Sequence, residues 1–229
     1  MSRSQPSGSR AKKHRFNKAW MNEHVSDHWV QEAQRLGFRS RAAFKLLELA
    51  EKDKLLRPGM TVVDLGAAPG SWCQVLRQQL GPKALIVAVD LLPMDPIAGV
   101  RFVQGDFREE PTVRALEAAL EGRRADLVLS DLAPNISGVA SADQARSVLL
   151  GELALAFAES WLQPGGDLVV KAFQGAGFSE LQRQVQARFA KSYVRKPKAS
   201  RDRSREVYLV GKGLSSPSGS SDKGRSSPP

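Results

Sequence analysis

The sequence predicts an α/β fold, a Rossmann-like and mostly parallel sheet with helices on both faces. Short apolar runs rich in β-branched residues alternate along the chain with stretches of helical periodicity. The runs are apolar along most of their length, as strands covered on both faces require. A turn of small residues leads from the first run directly into a helix, an arrangement that lets a ligand approach the backbone at the carboxyl ends of the strands.

The elements are predicted in the following order. Helical periodicity covers residues 26 to 36, with Ser26 as the N-cap, and residues 40 to 52. Strands are predicted at residues 61 to 65, 84 to 90, 100 to 105, 125 to 131, 166 to 173 and 205 to 211. Helices separate most of these strands, at residues 71 to 80, 110 to 121, 143 to 161 and 178 to 189.

The chain has 229 residues, of which 41% are hydrophobic, enough for one globular domain with its own core. Both ends consist of Ser, Gly, Pro and charged residues, which cannot offset the entropy of ordering. We therefore expect one domain at residues 19 to 211 between disordered tails at 1 to 18 and 212 to 229. A targeting role of the acid-free N-terminal tail stays open, although no amphipathic apolar stripe precedes Phe16.

The cysteine content and hydropathy limit the classes of protein to consider. The single cysteine, Cys73, rules out a disulfide framework and a cysteine-rich metal site, and its predicted helix favours packing over a reactive thiol. No apolar run approaches the length of a membrane span. The expectation is a soluble, cytoplasmic protein.

The positive charge is concentrated in segments. The formal net charge is +10, yet residues 19 to 190 hold 18 basic and 21 acidic residues. Residues 1 to 18 carry six Lys or Arg and no acid, and residues 191 to 205 carry seven against one Asp. Such segments are typical of surfaces that bind nucleic acid, because each neutralised phosphate releases counterions. A merely solubilising tail remains the alternative for the N-terminal segment.

Polar residues end successive strands, where the ligand of an open α/β sheet lies. The first strand continues into DLGAAPGSW, which is not a GxGxxG motif because Ala68 occupies the second glycine position, and which lacks the lysine of a phosphate loop. Asp90 ends the second strand, where an acid can bind ribose hydroxyls, and Asp106 and Phe107 follow the third, where they could bracket an adenine. Each feature alone could be a cap or a turn, but together they predict a pocket for S-adenosylmethionine.

Six segments together resemble the FtsJ/RrmJ family of ribosomal RNA methyltransferases, over about residues 20 to 211. They are RSRAAFKL, PGMTVVDLGAAPGSW, VDLLPMDPIAGVRFVQGDF, SDLAPNISG, VVKAFQG and SREVYLV. The resemblance implies a seven-stranded methyltransferase sheet, with cofactor contacts at Gly70, Trp72, Asp90, Asp106 and Asp131. Ser71 departs from the glycine expected there, a change that is tolerated unless the backbone needs a positive φ at that position.

Methyl transfer to a ribose hydroxyl requires a well-placed nucleophile and a base, and no metal. Lys171 ends the strand LVVKAF, where a buried charge is costly unless it has a function. A nearby cation or desolvation must make its neutral amine available, and Lys45 is the candidate cation. The resemblance implies a catalytic tetrad of Lys45, Asp131, Lys171 and Glu206. In it, Asp131 orients the lysine and Glu206 completes the hydrogen-bond network.

The resemblance also implies a reaction, the 2'-O-methylation of a uridine ribose in large-subunit (23S) ribosomal RNA. The implied site is the A-loop of the peptidyl transferase centre, modified late in ribosome assembly by a monomeric enzyme bound to neither metal nor membrane. A transfer RNA ribose 2'-O-methyltransferase and a non-catalytic RNA-binding assembly factor remain alternatives. The predicted RNA contacts are Arg35, Arg39, Arg41 and the basic residues of 195 to 205, with Trp20 or Trp29 as possible stacking surfaces, although packing is favoured for both.

Overall fold

The computed structural model describes residues 27 to 201 and 203 to 216. Its helices are α1 (His28–Arg35), α2 (Ala42–Asp53), α3 (Ser71–Leu80), α4 (Glu110–Leu120), α5 (Ala140–Trp161) and α6 (Phe178–Arg188). Its strands are β1 (Thr61–Leu65), β2 (Leu85–Asp90), β3 (Val100–Gln104), β4 (Ala125–Ser130), β5 (Leu162–Phe173), β6 (Phe189–Arg195) and β7 (Glu206–Leu214). The predicted N-terminal tail, Trp20 and residues 217 to 229 of the predicted C-terminal tail lie outside the described residues, whereas residues 212 to 214 of that tail belong to β7.

The seven strands form one sheet in the order β3-β2-β1-β4-β5-β7-β6. The first five of these are parallel to one another, and β7 runs antiparallel to both β5 and β6. The predicted mostly parallel sheet is confirmed. Because β7 is antiparallel, its first residue, Glu206, lies at the same edge of the sheet as the carboxyl ends of β1, β4 and β5.

Helices cover both faces of the sheet. On one face, α2 and α3 contribute Leu46, Leu49 and Leu76 to a cluster that includes Val62. On the other face, α4, α5 and α6 pack on the cluster that includes Val63. Successive residues of a strand point to opposite faces, so both must be apolar here. Each fully buried side chain of this kind contributes about 1.5 to 3 kcal/mol.

The structure differs from the prediction at β6, which the strand pattern missed. The run FAKSYVR mixes charged and apolar residues because β6 is an edge strand and half exposed. The seventh strand was expected only from the family resemblance.

Several predicted boundaries were also wrong, among them the start of α5, which lies at Ala140 rather than at residue 143. Asp27, not Ser26, caps α1, and its side chain accepts a hydrogen bond from the backbone N–H of Trp29. Strand β5 begins at Leu162 rather than at residue 166, and its pairing with β4 is irregular there, next to a Pro and two glycines. Strand β7 continues past residue 211 to Leu214, because its last residues pair with β6.

In the described part of the chain, no helix combines the length and the apolar character that crossing a membrane requires.

Candidate active site

The polar residues predicted at the strand ends converge at the carboxyl edge of the parallel strands. Asp131 follows β4 directly, and Lys171 lies near the end of β5, paired in register with Tyr208 of β7. Helix α2 passes over this edge with its first turns and brings Lys45 to it. Four parts of the chain, namely α2, the segment directly after β4, β5 and β7, therefore supply one residue each of the predicted tetrad.

The tetrad consists of two close ion pairs. The Lys171 ammonium lies 3.1 Å from Asp131 Oδ1 and donates a hydrogen bond of 2.6 Å to the backbone carbonyl of the same residue. Lys45 Nζ lies 2.7 Å from Glu206 Oε1. Both lysines are only 8% exposed, and Ser200 donates a second hydrogen bond of 2.7 Å to Glu206. Lys45, the candidate cation, therefore has its own carboxylate partner in Glu206.

Tyr208 joins the two pairs and was missed by the sequence analysis. Its hydroxyl donates to Asp131 Oδ1 at 2.7 Å, and Lys45 Nζ lies 5.8 Å from the centre of its ring. Burial, together with the carboxylates of Asp131 and Glu206, raises the pKa of Tyr208 well above its usual value. One sequence feature could have indicated it: Glu206 and Tyr208 are two residues apart and thus share one face of the strand.

Asp131 is held in its charged form. Burial alone would raise the pKa of this carboxyl, but the ammonium groups of Lys171 and Lys45 and the hydrogen bond from Tyr208 lower it below its usual value. A buried carboxylate with these partners is a fixed negative charge. It can therefore hold the Lys171 side chain in one place.

The loop between β1 and α3 is shaped by two glycines. Gly66 and Gly70 have φ values of +78° and +105°, and a Cβ on either would meet a neighbouring side chain at less than 3 Å. Asp90 braces this loop, since its Oδ2 accepts a hydrogen bond of 2.9 Å from the N–H of Ala68. Ser71 is the first residue of α3 and does not have a positive φ, so the structure accommodates the departure from glycine noted above.

A small cavity opens between this loop and the tetrad, lined by Asp64, Trp72 and Asp131 among others. Asp64 is fully buried, and its Oδ1 has no hydrogen-bond partner among the described residues. Burial raises its pKa to about 7, opposed by a hydrogen bond from the Cys73 thiol and assisted by Asp131 and Asp90. Cys73 is itself buried in α3, which favours the packing interpretation.

The two residues predicted to bind adenine after β3, Asp106 and Phe107, lie in different environments. The Asp106 carboxylate accepts hydrogen bonds from Arg108, 2.9 Å from its Nε and 3.0 Å from its backbone N–H, and these lower the pKa of Asp106. The Phe107 ring packs edge-on against Phe157 in the core, with 5.9 Å between the ring centres. The Phe107 ring is therefore partly occupied by core packing, and its role in bracketing an adenine with Asp106 stays a prediction.

Three of the arginines predicted to contact RNA, Arg35, Arg39 and Arg41, have protein partners. Arg35 is paired with Glu32, and Arg41 with Asp27. Arg39 donates to three backbone carbonyls, among them that of Pro69 at 2.8 Å, and so braces the loop between β1 and α3. Trp29 packs on Phe44, with 5.0 Å between the ring centres, as the packing alternative predicted.

No group of three or more His, Cys, Asp or Glu side chains suited to a metal ion occurs among residues 27 to 201 and 203 to 216.

Comparisons with known proteins agree with this geometry. A family model described as FtsJ-like methyltransferase matches residues 38–214. The chain is 57% identical over 205 residues to the "Ribosomal RNA large subunit methyltransferase E" of Alkalilimnicola ehrlichii, covering 90% of this chain and 98% of the relative. It is 58% identical over 200 residues to the protein of that name from Azoarcus sp., covering 87% of this chain and 98% of the relative. The crystal structure of a ribosomal RNA methyltransferase from Plasmodium falciparum superposes with a TM-score of 0.68 at 32% identity, covering 77% of this chain and 98% of that one.

Proposed function

Because the chain belongs to the FtsJ-like methyltransferase family, we propose that it transfers a methyl group from S-adenosylmethionine to a ribose 2'-hydroxyl of large-subunit ribosomal RNA. The names of the relatives support this RNA class. The finer target, a uridine of the A-loop, rests on the family resemblance. Such a substrate would bring the protein to the large subunit during its assembly, in the cytoplasm of a bacterium.

The observation that carries the proposal is the buried lysine–aspartate pair beside the glycine loop. Asp131, the partner of Lys171, lines the cavity that Gly66 and Asp64 also line. A candidate base and a small cavity thus meet at the carboxyl edge of the sheet, where α/β folds bind their ligands.

The residues present fit S-adenosylmethionine, which supplies an electrophilic methyl group on a sulfonium. The unpartnered Oδ1 of Asp64 is suited to the cationic amino-acid part of the cofactor. Gly66 and Gly70 have positive φ values, which glycine adopts readily, and these shape the loop that borders the cavity. Asp90 would accept the ribose hydroxyls, because each carboxylate oxygen keeps a second lone pair beside its bond to the loop.

In the proposed reaction the ribose 2'-oxygen would take the methyl group as the bond from its carbon to the sulfonium sulfur breaks, which leaves a neutral thioether. Lys171, as the neutral amine, would accept the hydroxyl proton at Nζ. Asp131 fixes the position of Nζ through its carbonyl and its carboxylate. Tyr208 in turn holds Asp131, and the Lys45–Glu206 pair packs against the Tyr208 ring. Positioning of this kind supplies a large part of the rate when the methyl donor is already activated.

The experiment is transfer of tritium from labelled S-adenosylmethionine to total RNA and to ribosomal particles, followed by mapping of the labelled nucleotide. We expect label in large-subunit ribosomal RNA, either free or in the assembled subunit, and a rate lower by a factor of about 10² to 10⁴ with the Lys171→Ala variant. Label in transfer RNA instead would select the transfer RNA alternative. Absence of label in every RNA, with normal RNA binding, would select the non-catalytic assembly factor.

A further inference from the structure

A second polar groove lies away from the tetrad, towards the other end of the sheet, and we call it the distal groove. It is bounded by the last residues of α2, the segment that follows them, and strands β5, β7 and β6. Helix α2 and strand β7 run from one site to the other, since Lys45 and Glu206 belong to the tetrad whereas Lys52 and Lys212 line the distal groove.

The distal groove is strongly basic. Its lining contains six Lys or Arg and two Asp, namely Lys52, Lys54, Arg57, Lys191, Arg195 and Lys212 against Asp53 and Asp167. The two acids are neutralised inside the protein. Asp53 has a side chain only 3% exposed and pairs with Arg195 at 2.6 Å, and Asp167 pairs with Lys212. The charges left facing solvent are therefore positive.

The cations of the groove form a row along the sheet edge. Lys191, Tyr193 and Arg195 occupy alternate positions of β6, which places them on one face of the strand. Lys212 is paired in register with Lys191 on the neighbouring strand, and the Arg195 guanidinium lies 4.4 Å from the centre of the Tyr193 ring. Lys52, at the end of α2, faces this row across the groove.

We propose that the distal groove binds the phosphate backbone of the RNA substrate. The inference rests on the proposed function for the identity of the RNA and on charge complementarity for the contact itself. Flexible lysines bind phosphates without reading bases, so the contact is independent of sequence. From Glu206 to Lys212, strand β7 spans about 20 Å. An RNA held at both places must therefore extend well beyond the methylated nucleotide.

The tetrad cannot provide this attraction itself. Its lysines are buried, each beside a carboxylate, and the fully buried Asp64 lies on the same cavity. A site built for a cationic cofactor repels the RNA backbone unless cations elsewhere attract it. The distal groove supplies such cations on a rigid part of the same sheet.

The test neutralises three exposed residues of the groove together, in the variant Lys52→Gln, Arg57→Gln, Lys191→Gln. Lys54 is left unchanged because it ends α2 with a φ of +50°, where substitution would alter the backbone. The matched control is Lys83→Gln, Arg114→Gln, Arg123→Gln, which removes the same charge from exposed positions outside the distal groove. The probe is protein-free large-subunit ribosomal RNA, with its Kd measured at several salt concentrations.

We expect the groove variant to bind this RNA about tenfold more weakly at moderate salt. The slope of log K against log salt should become shallower by about 2, since each phosphate contact contributes about 0.7 to 0.9. The control should bind like the wild type, and all three proteins should have equal cofactor affinity and equal kcat at saturating RNA.

Two results would overturn the proposal. Equal weakening by the groove variant and the control would mean that only net charge matters. Normal binding of the groove variant to free RNA, with weaker binding to assembled large subunits, would assign the groove to an acidic protein instead. The binding experiment does not depend on methyl transfer. If the wild-type protein failed to methylate ribosomal RNA, that result would contradict the proposed function, but the RNA affinities of the groove variant and the control could still be compared.

Discussion

The two polar regions of this sheet use charge in opposite ways. Around the tetrad, Lys45 and Lys171 are buried and each lies beside a carboxylate, and the adjoining cavity is lined by further acid. In the distal groove the acids are the buried, paired groups, and lysines such as Lys191 face solvent. The formal net charge of +10 describes neither region. Burial and pairing decide whether a lysine takes part in chemistry or attracts a polyanion.

The comparison predicts large, salt-independent effects at the buried site, the largest at Lys171. Lys171→Ala should lower the single-turnover rate by a factor of about 10² to 10⁴, the usual contribution of a general base. Lys171→Arg should be almost as inactive, because a guanidinium does not release its proton at accessible pH. Cofactor binding by calorimetry should be retained in both variants. An active Lys171→Arg enzyme would contradict the base role and leave the lysine as an electrostatic positioning group.

The next effect concerns the free energy of unfolding, to which the buried carboxyl of Asp64 contributes. Because the folded-state pKa of Asp64 is about 7, above the usual 3.8, its burial costs stability progressively as pH rises between these values, and the cost is complete above pH 7. Asp64→Asn removes this cost. It should stabilise the ligand-free protein more at pH 8 than at pH 5, by about 2 to 3 kcal/mol, in urea unfolding. A gain that is equal at both pH values would show that Asp64 is charged throughout.

A smaller effect is expected at the rim of the cofactor cavity. Asp90→Ala removes the proposed ribose contacts and the brace on Ala68, and should weaken S-adenosylmethionine binding about tenfold to a hundredfold. Asp90→Asn keeps one acceptor oxygen and should lose less. Calorimetry measures both, and an unchanged Kd in Asp90→Ala would move the adenosine site away from this strand end.

The smallest of these effects should come from Tyr208→Phe. It deletes one hydrogen bond to Asp131 while preserving the ring that packs beside Trp72 and Lys45. A loss of about 1 to 2 kcal/mol corresponds to roughly a tenfold decrease in kcat. The decrease should be the same at low and high salt, in contrast to the distal-groove variant. A strong salt dependence would mean that the tyrosine acts on RNA binding instead.

Functional residues at the ends of apolar strands were easier to predict from the sequence than functional residues within those strands. Asp90 and Lys171 stood out because a charge at the end of a buried run needs a reason. Glu206 came only from the family resemblance, because a charged residue at the start of an edge-side strand is ordinary. Tyr208 was missed because a tyrosine within an apolar strand is typical of core packing. Its role depends on Asp131, 77 positions away in the chain.

Basic residues were the least predictable from sequence. Arg39 and Arg41 were predicted to contact RNA, yet one donates to loop carbonyls and the other pairs with Asp27. Their partners are brought close only by folding. The mixed composition of β6 concealed both a strand and the row of cations along it, since alternation with charge is also typical of an exposed segment.

The position of Trp72 gives the protein a built-in optical reporter. Its indole is 3% exposed, donates to the carbonyl of Ala42 at 2.8 Å and lines the same cavity as Asp64 and Asp131. A bound adenosine derivative would alter the polarity around this ring and hence its fluorescence emission. The chain has four tryptophans, so replacing the other three with phenylalanine would isolate the emission of Trp72. Titrating that variant would follow cofactor arrival in real time, without a label and without RNA.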